Sequence, residues 1–145
     1  MRGRLTSLAV VAAGALTAVV ALSGTGHAAS DGGDLNNETQ WKMHLTYGLG
    51  SGSDRCDVWN YSGGPFENWK YAPCTQRSLG GKKRSDTTKD TDAFTFNDRD
   101  YLVRVAGGDT RWATKGVWTK LWDNQDAKCV VDPMWGVPYC TVYWS

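Results

Sequence analysis

Residues 129–140 read CVVDPMWGVPYC, and two cysteines closing so short a segment leave it few shapes. If Pro133–Gly136 form a four-residue loop, Asp132 faces Val137, Val131 faces Pro138, Val130 faces Tyr139 and Cys129 faces Cys140. A direct disulfide suits a non-hydrogen-bonded antiparallel pair, where facing side chains come closest. Alternation makes Val131–Pro138 a non-hydrogen-bonded pair as well, so the nitrogen of Pro138 points away from its hairpin partner. That register tolerates the proline provided that the outward side is a free edge. The tip of the stapled hairpin then carries Met134 and Trp135.

The start of the chain says where such cysteines belong. Arg2 and Arg4 precede an apolar run from Leu8 to Leu22, and Gly26 and Ala28 are small residues at cleavage-site spacing. This reads as a secretory signal peptide, residues 1–28, cut after Ala28. The run is short for a bilayer-spanning helix and no second one follows. The expected product is secreted and extracellular, without stable membrane insertion. In an exported chain four cysteines imply two disulfides. Three pairings are possible, and the local ones, Cys56 with Cys74 and Cys129 with Cys140, are favoured. Each stabilises by about 3 kcal/mol in the loop-entropy account.

Past the leader, residues 29–39 are polar and rich in Gly and Asn, and read as a flexible N-terminal tail. Residues 40–145 read as a single β domain. Within 40–48, Trp41, Met43, Leu45 and Tyr47 alternate with Lys42, His44 and Thr46, as a strand with one wet face does. Further strands are expected within 55–61, 92–97, 100–107, 115–123, 127–132 and 137–144. Residues 62–74 read as a loop closed by the first disulfide, and 75–92 as a long exposed loop. No helical periodicity is seen after the leader. The expected class is all-β, a small disulfide-stapled antiparallel β-sandwich or barrel of about seven strands.

Charge and residue supply exclude several functions. Removing Arg2 and Arg4 from 16 basic side chains leaves 14 against 15 acidic ones. A near-neutral chain is a poor general nucleic-acid binder, and no nucleic-acid partner is expected. The one basic cluster, Lys82-Lys83-Arg84, is followed by Asp86, Asp90 and Asp92 and reads as a solvated loop. His44 is the only histidine after the leader, so a two-histidine mechanism and a histidine-built metal site are excluded; it reads as a half-exposed side chain on a wet strand face. Paired cysteines leave no thiol nucleophile or thiolate ligand. No nucleophile elbow or phosphate loop is present. Glu38 and Glu67 are the only glutamates, and most aspartates sit beside Gly, Asn or another charge, as turn residues do. No enzyme activity, metal or cofactor is expected.

Binding is better supplied. With no isoleucine, the core must use Val, Leu and aromatic rings, yet eight tryptophans exceed what a small core needs. About two or three are expected at the surface. In KGVWTKLWD, Trp118, Lys120 and Trp122 share one strand face and form a possible flat platform, unless that face is the core. Met134 and Trp135 form the other candidate, because a stapled turn loses little entropy when it enters a partner's pocket. Expected partners are a cell-envelope precursor or an extracellular protein. A protease inhibitor, an adaptor subunit and a carbohydrate-binding module all fit these features.

Trp41 with Tyr47-Gly48, then Val58-Trp59-Asn60-Tyr61, Lys115-Gly116-Val117-Trp118 with Lys120, and the closing Tyr143-Trp144 together resemble the lactococcin-972 family of secreted bacteriocins. The chain adds four cysteines and a longer middle, residues 62–110, to that pattern. The resemblance implies a short exported β-sandwich. It also implies inhibition of related Gram-positive cells through the cell-wall precursor lipid II and septum formation, without catalysis.

Overall fold

The computed structural model describes residues 33–145, and the expected signal peptide lies outside them. Among the described residues the chain forms strands and no helix. The strands are β1 (Leu35–Asn37), β2 (Met43–Thr46), β3 (Asp54–Val58), β4 (Lys70–Cys74), β5 (Arg77–Leu79) and β6 (Lys83–Arg84), then β7 (Ala93–Thr95), β8 (Tyr101–Arg104), β9 (Thr110–Ala113), β10 (Val117–Lys120), β11 (Gln125–Val131) and β12 (Pro138–Trp144). One sheet runs β6-β1-β11-β12-β8-β9 and the other β4-β3-β10-β7-β2-β5. The two-sheet, all-β class is the one the alternating sequence implies.

The main core lies between the sheets. Leu35, Tyr101, Val103, Ala127 and Val142 from the first sheet meet Met43, Leu45 and Phe94 from the second. Phe96, just past β7, completes an aromatic centre: Tyr101 stands 6.1 Å from Phe94 and 5.5 Å from Phe96, ring to ring. Its hydroxyl donates to the Val117 carbonyl at 2.8 Å and lies 2.9 Å from Thr119 Oγ1, so one buried tyrosine satisfies its polar end on the opposite sheet. A smaller cluster of Cys56, Val58, Cys74, Ala93 and Trp118 covers the far face of the second sheet.

The stapled hairpin has the register that counting gives. Cys129 faces Cys140, Val130 faces Tyr139 and Val131 faces Pro138. Both disulfides are the local ones, Cys56–Cys74 and Cys129–Cys140. Pro138 is tolerated for a different reason from the one expected. The outward side of β12 is not a free edge but pairs in parallel with β8, and that ladder begins only at Tyr139. The proline therefore sits one residue outside the ladder that would have needed its N–H.

Five strands lie where none was expected. Part of the segment read as a tail is β1, wedged between β6 and β11 with Leu35 fully buried. Its N-terminal end is pinned: Leu35 N donates to Ser85 Oγ at 2.9 Å, Ser85 N donates to the Leu35 carbonyl at 2.8 Å, and Gly33 N donates to the Asp90 carboxylate at 2.9 Å. Within the segment read as a disulfide-closed loop, β4 pairs antiparallel with β3. The segment read as a long loop contains β5 and β6, each an outer strand of its sheet. The basic cluster thus ends in an exposed edge strand whose charges discourage further pairing. The remaining strand, β9, forms a hairpin with β8. Three neighbours are parallel, β1 with β11, β3 with β10 and β8 with β12, so the sandwich is not purely antiparallel. Parallel neighbours are joined by long crossovers, which leave no turn signature in the sequence.

Candidate functional site

The hairpin tip is stiffened by one carboxylate. Asp132 Oδ1 accepts from Met134 N at 2.9 Å and from Trp135 N at 2.8 Å, while Gly136 N donates to the Asp132 carbonyl at 2.9 Å. Gly136 takes φ 63°, which an L side chain rarely adopts. The turn leaves Met134 79% and Trp135 61% exposed. Trp135 lies edge-on to Trp112 of β9, centroids 6.1 Å apart. Trp112 heads an outward-facing row across the first sheet, with Leu102, Tyr139 and Val130 in register behind it.

The platform expected from Trp118, Lys120 and Trp122 does not form. Trp118 is 1% exposed and packs in the cluster beneath the Cys56–Cys74 disulfide. The strand β10 is central in its sheet and covered on both sides, so both Trp118 and Thr119 are buried and the alternation carries no inside-outside information. Lys120 is half-buried, its ammonium 5.3 Å from the centre of the Tyr61 ring, which also takes Lys70 at 4.3 Å. Trp122 alone of the three reaches the surface, just beyond the end of β10, where it meets Trp144 edge to face at 5.8 Å.

What Trp122 meets there was not evident from the sequence. The loop 61–68 folds onto it. Asn60, fully buried, accepts from Lys120 N at 2.7 Å and donates to the Lys120 carbonyl at 3.1 Å, clamping the loop to β10. Asn68 closes the loop by accepting from Ser62 N at 3.0 Å. Gly63 lies directly against the Trp122 indole, and Pro65 packs against Gly108 in the turn between β8 and β9. Phe66 is left 82% exposed at the crest. Beside it, Glu67 pairs with Arg111, whose guanidinium lies 4.0 Å over the Trp59 ring.

Three neighbouring troughs open on this side of the molecule and share lining residues. The first, about 430 Å³, lies between Phe66 and Trp112 over Gly107 and Gly108. The second, about 320 Å³, runs from Gly107 past Arg104 and Tyr143 to Trp144. The third, about 440 Å³, lies between Phe66 and the Trp122–Trp144 pair and is mostly apolar. Phe66 lines the first and third, Trp144 the second and third, Gly107 the first and second. Sequence reasoning singled out Trp122 of this set but missed Phe66, Trp112 and Trp144 as partners. The available signal was the doubled glycine before Pro65-Phe66, which permits a backbone to lie flat against a ring.

His44 is half-buried, and burial, with Lys42 adding to it, holds its imidazole below the ordinary histidine value. Its Nδ1 is buried without a hydrogen-bond partner. No group of three or more His, Cys, Asp or Glu that could hold a metal ion occurs among the described residues. No helix among them is long and apolar enough to cross a membrane.

No family model, curated protein or solved structure matches the chain. The site must therefore be read from its own chemistry.

Proposed function

We propose that this is a secreted, non-catalytic protein that binds a target on the bacterial cell envelope and inhibits growth there, in the manner of a bacteriocin. The observation that carries the reading is the grouping of exposed rings. Phe66, Trp112, Trp122, Trp135 and Trp144 stay outside the core and touch one another or share troughs, and Met134 projects beside them. Large contiguous apolar surface on a small protein usually marks a place where something binds. Two disulfides fit an oxidising compartment.

The test is to add purified oxidised protein to growing Gram-positive cultures and follow growth and septum placement. Arrest with failed septation is expected, and Trp135→Ala or Trp144→Ala should weaken it while leaving the protein folded. Normal growth across a broad panel would remove the reading.

The hairpin tip favours a second reading, an extracellular protein-binding module such as a protease inhibitor. Asp132 fixes two backbone amides of a short exposed turn that presents Met134 and Trp135, the form an insertion loop takes. Capture of one protein from the producer's culture fluid by the wild type, and its loss with Trp135→Ala, would favour this reading over the first.

A further inference from the structure

We infer that the three neighbouring troughs form a binding site for a neutral glycan. This deepens the envelope-binding reading and rests on it.

A pyranose has an apolar C–H face and a rim of hydroxyls that both donate and accept. A site for it needs flat aromatic walls with hydrogen-bonding groups at their edges. The walls are Phe66, Trp112, Trp122 and Trp144, and every trough has at least one of them. The edge groups are Arg104 and Asp109. Among the described residues Arg104 donates only through Nε, to the Gly108 carbonyl at 3.2 Å, and has no carboxylate partner. The Asp109 carboxylate makes no hydrogen bond or ion pair among the described residues. One donor and one acceptor, both exposed and without a charged protein partner among the described residues, therefore flank the basin.

Charge narrows the ligand further. The basin holds two guanidiniums, Arg104 and Arg111, and two carboxylates, Glu67 and Asp109. Its balance favours a neutral ligand over a polyanion. Charge also separates it from a docking surface for anionic lipid, which needs a basic patch beside its projecting apolar side chains, because Glu67 and Asp109 offset Arg104 and Arg111 here. The walls are also set before a ligand arrives, since Trp122 is held between Gly63 and Trp144, and Pro65 against Gly108.

The experiment titrates the oxidised protein with two soluble probes, the β-1,4-linked tetramers of N-acetylglucosamine and of glucose. It follows tryptophan fluorescence and heat of binding. Saturable binding to at least one probe is expected. Trp144→Ala and Asp109→Ala should each weaken it about tenfold or more. Tyr71→Ala, an exposed ring on β4 outside the basin, should leave it unchanged. Asp109→Ala keeps the test decisive should Trp144→Ala disturb the fold, because Asp109 supports nothing else. Absence of saturable binding to either probe would overturn the inference, as would equal affinity in Asp109→Ala, or binding only to phosphatidylglycerol vesicles. Cell arrest without sugar binding removes the glycan site and leaves the envelope reading standing. Sugar binding without any effect on cells does the reverse.

Discussion

A Cβ on Gly63 would lie 1.6 Å from the Trp122 indole. The glycine also takes φ +78°, so an added methyl meets both a ring and an unfavourable backbone. Gly63→Ala should cost about 1–3 kcal/mol and displace Trp122 from Trp144. Thermal melting and near-ultraviolet circular dichroism would register both. A variant with unchanged melting and unchanged aromatic signal would mean that this loop does not pack on the indole.

Trp118 and Trp122 sit four residues apart and differ completely in surroundings. Trp118→Ala empties the space under the Cys56–Cys74 disulfide and should cost about 3–5 kcal/mol. Trp122→Ala removes a half-exposed ring and should cost far less. Denaturant midpoints of the two variants would check the ordering, and equal midpoints would contradict it.

Leu35 separates a tail from a strand. A leucine in a mobile tail can be replaced at no cost, but Leu35 is fully buried in β1. Leu35→Ala should therefore cost about 2–5 kcal/mol. Urea unfolding followed by tryptophan emission gives the value directly, and a cost near zero would return the segment to a tail.

The disulfides join residues 18 and 11 positions apart. In the loop-entropy account each contributes about 3 kcal/mol, the longer loop a few tenths more. Cys56→Ser with Cys74→Ser, and Cys129→Ser with Cys140→Ser, should therefore destabilise by similar amounts. Retention of the wild-type melting temperature by either double variant would refute this.

His44 gives a pH dependence with a definite sign. Its folded pKa is held down, first by burial and then by Lys42, so below about pH 6.5 the unfolded chain takes up a proton that the folded chain resists. This term is absent at neutral pH and destabilises the fold as pH falls through that value. Asp34, Asp57 and Asp90, whose carboxyls burial pushes up, act in the opposite direction. The clean measurement is a difference: His44→Gln should lose less stability than wild type between pH 7 and pH 5. Equal losses would show that the imidazole is not desolvated.

How far the fold is legible in the sequence depends on how local each decision is. The Cys129–Cys140 hairpin is fixed within a dozen residues by a staple, a turn and a proline, and its register follows by counting. The strand β1 reads Leu-Asn-Asn, has no alternation to detect, and takes a parallel partner on the far side of the chain. Trp118 misleads because alternation separates two faces without saying that both are covered. The basin around Phe66 is built from four pieces of chain, 62–68, 104–112, Trp122 and 141–144, that meet only after both sheets have formed.

The position of β1 also bears on how the chain is made. The first strand among the described residues is held by β11, and Asp34 N donates to the Asp126 carboxylate, 92 residues further on. Until the final hairpin exists, β1 and β6 have no sheet to join, and Leu35 has no interior to enter. A chain that stops short of β11 therefore cannot bury Leu35, and the domain closes only when its two ends meet.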